Sequence, residues 1–311
     1  MINIKQPEEI KRILILGHTG FVGSNLEEFL CKHLSGVEII GYSSSTMDLT
    51  REEKITELSD KLDSATAVVM CSMLKKEAGD NLDSFSRNMA MTINLCRLLE
   101  KYSVRRFVYI SSTAVYGEEI QNNNITEETG VQPTSYYGMA KFTSECMYRK
   151  VFAAQQQSSL LILRPPLIYG AGDRSAAYGP AGFIRKALAS EPITLWGNGL
   201  EKREFIFIDD MVEIMASLIL NKFEGVVNIV SGQSNTFKDI LDIVSSLTTN
   251  LLEINTRERS KHKVDHGFSN KKLIQLLPGI SFTSLDEGVR KAFDGSQDRK
   301  FIQRADINER L

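Results

Sequence analysis

The sequence predicts an α/β fold: a doubly wound parallel sheet with a smaller C-terminal α/β cap. Three observations carry that expectation. Short β-rich runs alternate with helical patterns through the first half of the chain. A glycine-rich turn joins the first run to the first helix. After Arg164 the texture changes to loops rich in proline and glycine.

The elements follow in order. RILIL (Arg12–Leu16) reads as a buried strand, residues 22–33 as a helix, Glu38–Tyr42 as a second strand and ATAVVMC (65–71) as a third. Residues 86–101 carry apolar side chains at helical spacing. RFVYIS (106–111) is a strand, 137–154 a helix and LLILR (160–164) a strand. Strands that are apolar throughout, with helices between them, belong to a parallel sheet covered on both faces. Beyond 164 the pattern predicts a helix near 183–189, strands at 204–208 and 226–230 with a helix over 210–220 between them, and mostly helix from Thr236 on. This divides the chain into residues 1–166 plus about 204–231 as a dinucleotide-binding part, and about 167–203 and 232–311 as a cap. The polar residues from about Gly295 read as a surface arm.

Composition bounds the function. The 311 residues are 42% hydrophobic and 24% charged, with a net charge of -2 and a pI near 6.2. No global basic field invites nucleic acid. No run approaches the ~20 apolar residues of a membrane span, and the polar start MINIKQPEEI lacks an apolar signal core. The four scattered cysteines read as reduced thiols, so the expected location is the cytoplasm. The four histidines show no metal-ligand spacing with them, and no metal is expected.

Gly17-His-Thr-Gly20-Phe-Val-Gly23 follows the first strand and opens the first helix. Three glycines alone also make an ordinary turn. Between a strand and a helix of a βαβ unit they let the backbone approach a pyrophosphate, which then meets the free N–H groups of the helix N-terminus. A plain ribose usually meets an Asp or Glu at the end of the second strand, but that place holds Gly41-Tyr-Ser-Ser-Ser45. Glu38 is at the wrong end of the strand and Asp48 comes late. Serine hydroxyls suit a 2′-phosphate, which also recruits Arg or Lys; Arg51 is the nearest. The cofactor is therefore NAD or NADP, with a slight lean to NADP.

Tyr137 and Lys141 stand at i and i+4, on one helix face. A nearby cation stabilises phenolate and fits the phenol to act as a base. The rival Tyr136 has Ala140 at that spacing. Ser111-Ser-Thr-Ala-Val-Tyr-Gly117 lies at the carboxyl end of a parallel strand, where open sheets bind ligands.

With these residues the chain resembles the extended short-chain dehydrogenase/reductases, in the NAD-dependent epimerase/dehydratase branch with its Rossmann fold. GHTGFVG (17–23), Asn88, SSTAVYG (111–117), YGMAK (137–141), RPPLIYGAG (164–172) and WGNG…REFIFIDD (196–210) carry the resemblance from about residue 12 to 294. It implies that Ser112, three residues before the Val of VYG, Tyr137 and Lys141 are catalytic. It implies cofactor contacts at Gly17, Thr19, Gly20, Phe21, Val22, Gly23, Ser43, Ser44, Asp48, Ser111, Tyr137, Lys141, Pro165 and Ile168. Substrate contacts fall to Ser112, Thr113, Tyr137 and Arg203, the last toward the phosphates of a nucleotide-sugar. Asn88 supports the active-site helix, and a homodimer through helices 88–101 and 137–154 is compatible with the pattern.

Departures from the family narrow the reaction. Thr113 and Ala114 stand where dehydratases carry an Asp-Glu pair, and Ala114 also where decarboxylases need a Glu. Arg164–Leu167 lacks the Asn that many members use to hold substrate. The expected function is reversible hydride transfer at a sugar carbon, by a sugar epimerase or a 4-ketoreductase. The alternatives are a reductase of a non-sugar ketone and a decayed dinucleotide-binding protein. The cap loops 73–81 and 170–182 are expected to decide the substrate.

Overall fold

The computed structural model describes residues 9–76, 79–173, 178–249, 251–259 and 262–308, with side chains as far as Asp298. Residues 77–78 and 174–177 of the two cap loops, and most of the polar start, lie outside the described residues.

The main sheet is built from β1 (Arg12–Leu16), β2 (Glu38–Tyr42), β3 (Thr66–Met70), β4 (Arg106–Ile110), β6 (Ser159–Arg164) and β10 (Gly225–Asn228), with β5 (Asn122–Ile125) set outside it. Its order is β2-β1-β3-β4-β6-β10 and every pairing is parallel. β3 and β4 are buried at all five positions, because helices cover both faces. On one face α1 (Phe21–His33) and α6 (Ile208–Leu220) bury Leu26, Leu30, Met211 and Met215. On the other, α3 (Leu82–Lys101) and α4 (Tyr136–Phe152) bury Leu95, Leu99, Tyr148 and Phe152, with the short α2 (Glu52–Thr56) beside them. Phe107 packs on Tyr148 and Phe152 at 4.6 and 5.5 Å between ring centres. The chain leaves β1 toward β2 on one side and returns to β3 on the other. That reversal opens a crevice at the carboxyl ends of the strands, where the glycine turn sits.

The capping explains one boundary. α3 begins at Leu82, earlier than the apolar spacing indicates, because Asn81 and Ser84 form a reciprocal capping box ahead of it.

Beyond β6 come β7 (Leu167–Tyr169), α5 (Pro180–Ala189), β8 (Ile193–Trp196), β9 (Lys202–Phe207), β11 (Ser234–Thr236), α7 (Phe237–Leu247), β12 (Ile254–Arg257), β13 (His266–Phe268), α8 (Lys271–Leu276) and α9 (Leu285–Asn308). Of the two strands expected in 204–231, β10 joins the main sheet. β9 instead pairs with β7 and β11 in a separate three-stranded sheet. β8 pairs with β12, and β5 with β13. The expected polar arm from Gly295 is helical backbone as far as Asn308, continuing a helix anchored by Val289, Ala292 and Phe293 in the core. Among the described residues no helix is long and apolar enough to cross a membrane.

Candidate active site

The glycine turn is cut to fit a backbone approach. Gly17 adopts φ +92, open to glycine and strained for other residues. A Cβ on Gly23 would stand 2.3 Å from the Gly17 carbonyl oxygen, and one on Gly17 2.6 Å from Ser72 Oγ. Gly20 caps α1 without any side-chain hydrogen bond. The first N–H groups of that helix therefore face the crevice for an anion. Thr19 and Gly20 lie on this rim with the half-buried Phe21 and Val22. The cradle fits a dinucleotide pyrophosphate.

The serine turn after β2 is occupied with itself. Ser43 Oγ lies 2.7 Å from Ser45 Oγ and 3.3 Å from Thr46 Oγ1, while Ser44 is exposed. Asp48 accepts from Thr50 N at 2.9 Å and Thr50 Oγ1 at 2.7 Å. Those two hydrogen bonds hold its carboxyl below the usual range.

β4 delivers the serines and α4 the tyrosine and lysine. Ser135 caps α4, accepting from Gly138 N at 3.1 Å, so the helix begins at Tyr136 and its first turn presents Tyr137. Lys141 is 4% exposed. Its Nζ donates to the Ile110 carbonyl at 2.5 Å and lies 5.7 Å from the centre of the Tyr137 ring. Burial pushes its ammonium down to about 7, against the opposing pull of Cys71 and Glu145. Ser112 accepts from Ala114 N at 3.1 Å and caps a single turn over Thr113–Tyr116. Thr113 N donates to the Pro165 carbonyl at 2.9 Å, tying this turn to the segment that leads into β7 and Ile168.

Ser111 is buried. Its Oγ donates to Glu145 Oε1 at 2.5 Å. Glu145 is wholly buried and also accepts Arg164 Nε at 2.9 Å and another Arg164 nitrogen at 2.6 Å. Arg164 donates on to Tyr116 Oη at 2.8 Å, and Tyr116 to Asn228 Oδ1 at 2.8 Å. This network joins β4, α4, β6 and β10 beneath the site. Sequence reasoning missed it, although Glu145 lies one helical turn beyond Lys141 on the same face.

Asn88 takes a different part from the expected one. Its side-chain amide accepts from Leu74 N at 2.8 Å and donates to Leu74 O at 3.1 Å, so it holds the loop after β3 rather than α4. Thr92, one turn on, makes the link to α4 through Ser144 Oγ at 2.8 Å.

Arg203 lines a cavity of about 530 Å³ with Glu118, Trp196, Glu201, Arg259 and His262 among its walls. Glu118 accepts from the Ser135 cap at 2.6 Å, which sets this cavity beside the start of α4. Glu201 pairs with both Arg203 and Arg259. Sequence reasoning found neither Glu201 nor Arg259. The acid reads as one more charge before β9, and Arg259 reaches the cavity from beyond β12, far along the chain. Among the described residues no cluster of three or more His, Cys, Asp or Glu side chains could hold a metal.

Residues 13–231, more than half of the chain, match the NAD dependent epimerase/dehydratase family. The GDP-mannose 3,5-epimerase of Arabidopsis thaliana is 27% identical over 320 residues, covering 91% of this chain and 81% of that protein. The fold is similar to that of the Thermus thermophilus UDP-glucose 4-epimerase in complex with NAD, with a TM-score of 0.79 and 23% identity over 92% of this chain and 99% of the other. It is also similar to RMD from Pseudomonas aeruginosa complexed with NADPH, with a TM-score of 0.81 and 20% identity over 93% and 99% of the two chains. With the glycine cradle, the Tyr137/Lys141 pair and the parallel sheet in one crevice, the chain belongs to the NAD dependent epimerase/dehydratase family.

Proposed function

We propose that this enzyme acts on a nucleotide-sugar by reversible hydride transfer at a sugar carbon, as an epimerase or a 4-ketoreductase. The observation that carries the reading is the convergence of Lys141, Tyr137 and the Ser112 turn at the carboxyl end of β4, with the Arg203 cavity adjoining the α4 cap. A nicotinamide dinucleotide, held by the Gly17–Gly23 cradle, would supply the acceptor for hydride from the sugar carbon and the donor for its return. Tyr137 moves the proton of the sugar hydroxyl. Lys141, held by the Ile110 carbonyl, faces the phenol with its ammonium. Ser112 donates to the sugar oxygen as charge shifts onto it. Arg203 pairs with the diphosphate. Thr113 and Ala114 bring no carboxylate to this turn, which favours simple redox over dehydration.

The crevice part comprises residues 1–166 and about 204–231, with the cap from about 167–203 and 232–311. The four cysteines are free thiols, in keeping with a reducing cytoplasm. The exposed Leu82, Ile93, Tyr136 and Met139 on α3 and α4 suit a homodimer through these helices.

The test is a panel of nucleotide-sugars and their keto forms with both dinucleotides. Stoichiometric consumption of reduced cofactor marks a reductase, and isomerised product without consumption marks an epimerase. Tyr137→Phe should lower turnover by about 10²–10⁴-fold; near-normal turnover would overturn the assignment.

A further inference from the structure

The carboxyl end of β2 is where folds of this class meet the adenosine ribose, commonly through an acid borne by the strand. Gly41 stands there instead, and the space a side chain would fill is taken. A Cβ on Gly41 would lie 2.3 Å from His18 Cγ, 2.4 Å from His18 Nδ1 and 2.6 Å from Glu27 Oε1. His18 comes from the glycine turn, whose Gly17 and His18 amides donate to the Tyr42 carbonyl at 2.7 and 3.3 Å. Glu27 comes from α1. His18 Nδ1 and Glu27 Oε2 are 2.9 Å apart, and the two side chains are 25% and 31% exposed, so the pair is fixed yet open to a ligand.

We propose that Glu27, positioned by His18, reads the adenosine ribose in place of the absent strand-borne acid and selects NAD(H) over NADP(H). This rests on the dinucleotide reading above and goes against the lean to NADP that the serine turn suggests. A carboxylate only accepts hydrogen bonds, so Nδ1 of His18 carries the proton between them. Glu27 keeps lone pairs for a ribose hydroxyl, which donates. A 2′-phosphate brings acceptors and negative charge against the same carboxylate.

The rival groups are engaged elsewhere. Glu38, at the far end of β2, pairs with Arg12 at 2.7 Å. Asp48 holds Thr50. Ser43 is bonded within its own turn. Arg51, the basic residue nearest in sequence, is paired with Glu53 at 2.6 Å on the surface.

The experiment is calorimetric titration of the substrate-free protein with NADH and with NADPH, giving a ratio of dissociation constants. The wild type should bind NADH at least about tenfold more tightly, and Glu27→Gln should bring the ratio within about threefold, chiefly by tightening NADPH. An unchanged ratio in a Glu27→Gln protein of normal melting temperature would overturn the proposal, as would tighter NADPH binding by the wild type. Should Glu27→Gln loosen α1, the triple variant Glu27→Ala/His18→Ala/Gly41→Asp decides, since alanine suits the helix. Gly41 lies outside the left-handed region, and the side-chain atoms within 2.6 Å of its Cβ belong to His18 and Glu27, so with both cut back an aspartate fits, and a regained NADH preference supports ribose reading at this point. No regained preference overturns it. Binding of neither nucleotide to the wild type would remove the dinucleotide reading itself, and this assignment with it.

Discussion

Lys141 Nζ donates to the Ile110 carbonyl at 2.5 Å while lying 5.7 Å from the centre of the Tyr137 ring. One buried ammonium thus ties α4 to the end of β4 and faces the phenol. Its burial has a measurable consequence. The folded pKa falls to about 7 from 10.5, so between those values the unfolded chain binds more protons. The destabilisation is fully present below about pH 7. It is relieved as pH rises toward 10.5, by about 1.4 kcal/mol for each pH unit crossed. Lys141→Met removes the ammonium. Urea unfolding from pH 6.5 to 9.5 should show the wild type gaining stability relative to Lys141→Met, with the largest deficit at the acid end. Parallel curves would mean that Lys141 is not held against its charge.

The Glu145 network makes a second prediction. Glu145 and Arg164 are 0% and 3% exposed at the side chain, and Arg149 adds a partly exposed partner at 2.9 Å. Breaking a buried pair by removing one charge costs about 3–5 kcal/mol, whereas an apolar pair of similar volume is often neutral. Glu145→Leu should therefore lose several kcal/mol in denaturant unfolding. Glu145→Leu/Arg164→Met should recover most of it, giving a large coupling in the double-mutant cycle.

The parts of this molecule that were legible in the sequence are those where one physical pattern dominates. RILIL and RFVYI are apolar after their leading arginines because both faces of β1 and β4 are covered. The glycine turn is legible because its backbone geometry excludes side chains. β5 (NNNI) is not, since its own residues are polar and its register comes from β13, far along the chain. β9 looks like a main-sheet strand because its apolar half, Phe205–Phe207, would suit either sheet; pairing with β7 and β11 decides. Glu145 reads as a surface helix residue until Arg164 is brought beneath it. His18 reads as filler in a glycine turn until Gly41 is seen under its ring.

Arg203 and Glu201 set a third expectation. Glu201 holds both Arg203 and Arg259 across the cavity, so an incoming diphosphate must compete with its carboxylate. Charge-assisted bonds of this kind contribute about 1.5–3 kcal/mol. Arg203→Ala should weaken nucleoside diphosphate binding by about 10- to 100-fold in calorimetry. Glu201→Gln should tighten it, because the guanidinium groups are then free of a competing anion. Weaker binding in Glu201→Gln would make the carboxylate a positioning group for the arginines instead.

Gly23 offers the last prediction, in which local propensity and tertiary fit oppose one another. Alanine favours a helix over glycine by about 1 kcal/mol, and Gly23 lies within α1. Yet its Cβ would stand 2.3 Å from Gly17 O, 2.8 Å from His18 Cα and 2.9 Å from Gly17 C. All three are backbone atoms and cannot rotate away, so the turn must move off the helix. Overpacking of this order costs about 1–3 kcal/mol, which outweighs the propensity gain. Gly23→Ala should therefore melt lower than the wild type and lose the stabilisation that a saturating dinucleotide gives in a thermal-shift assay. A Gly23→Ala protein that melts higher and still responds to the dinucleotide would mean that the turn yields freely, and that the helix N-terminus does not need this close approach to hold a pyrophosphate.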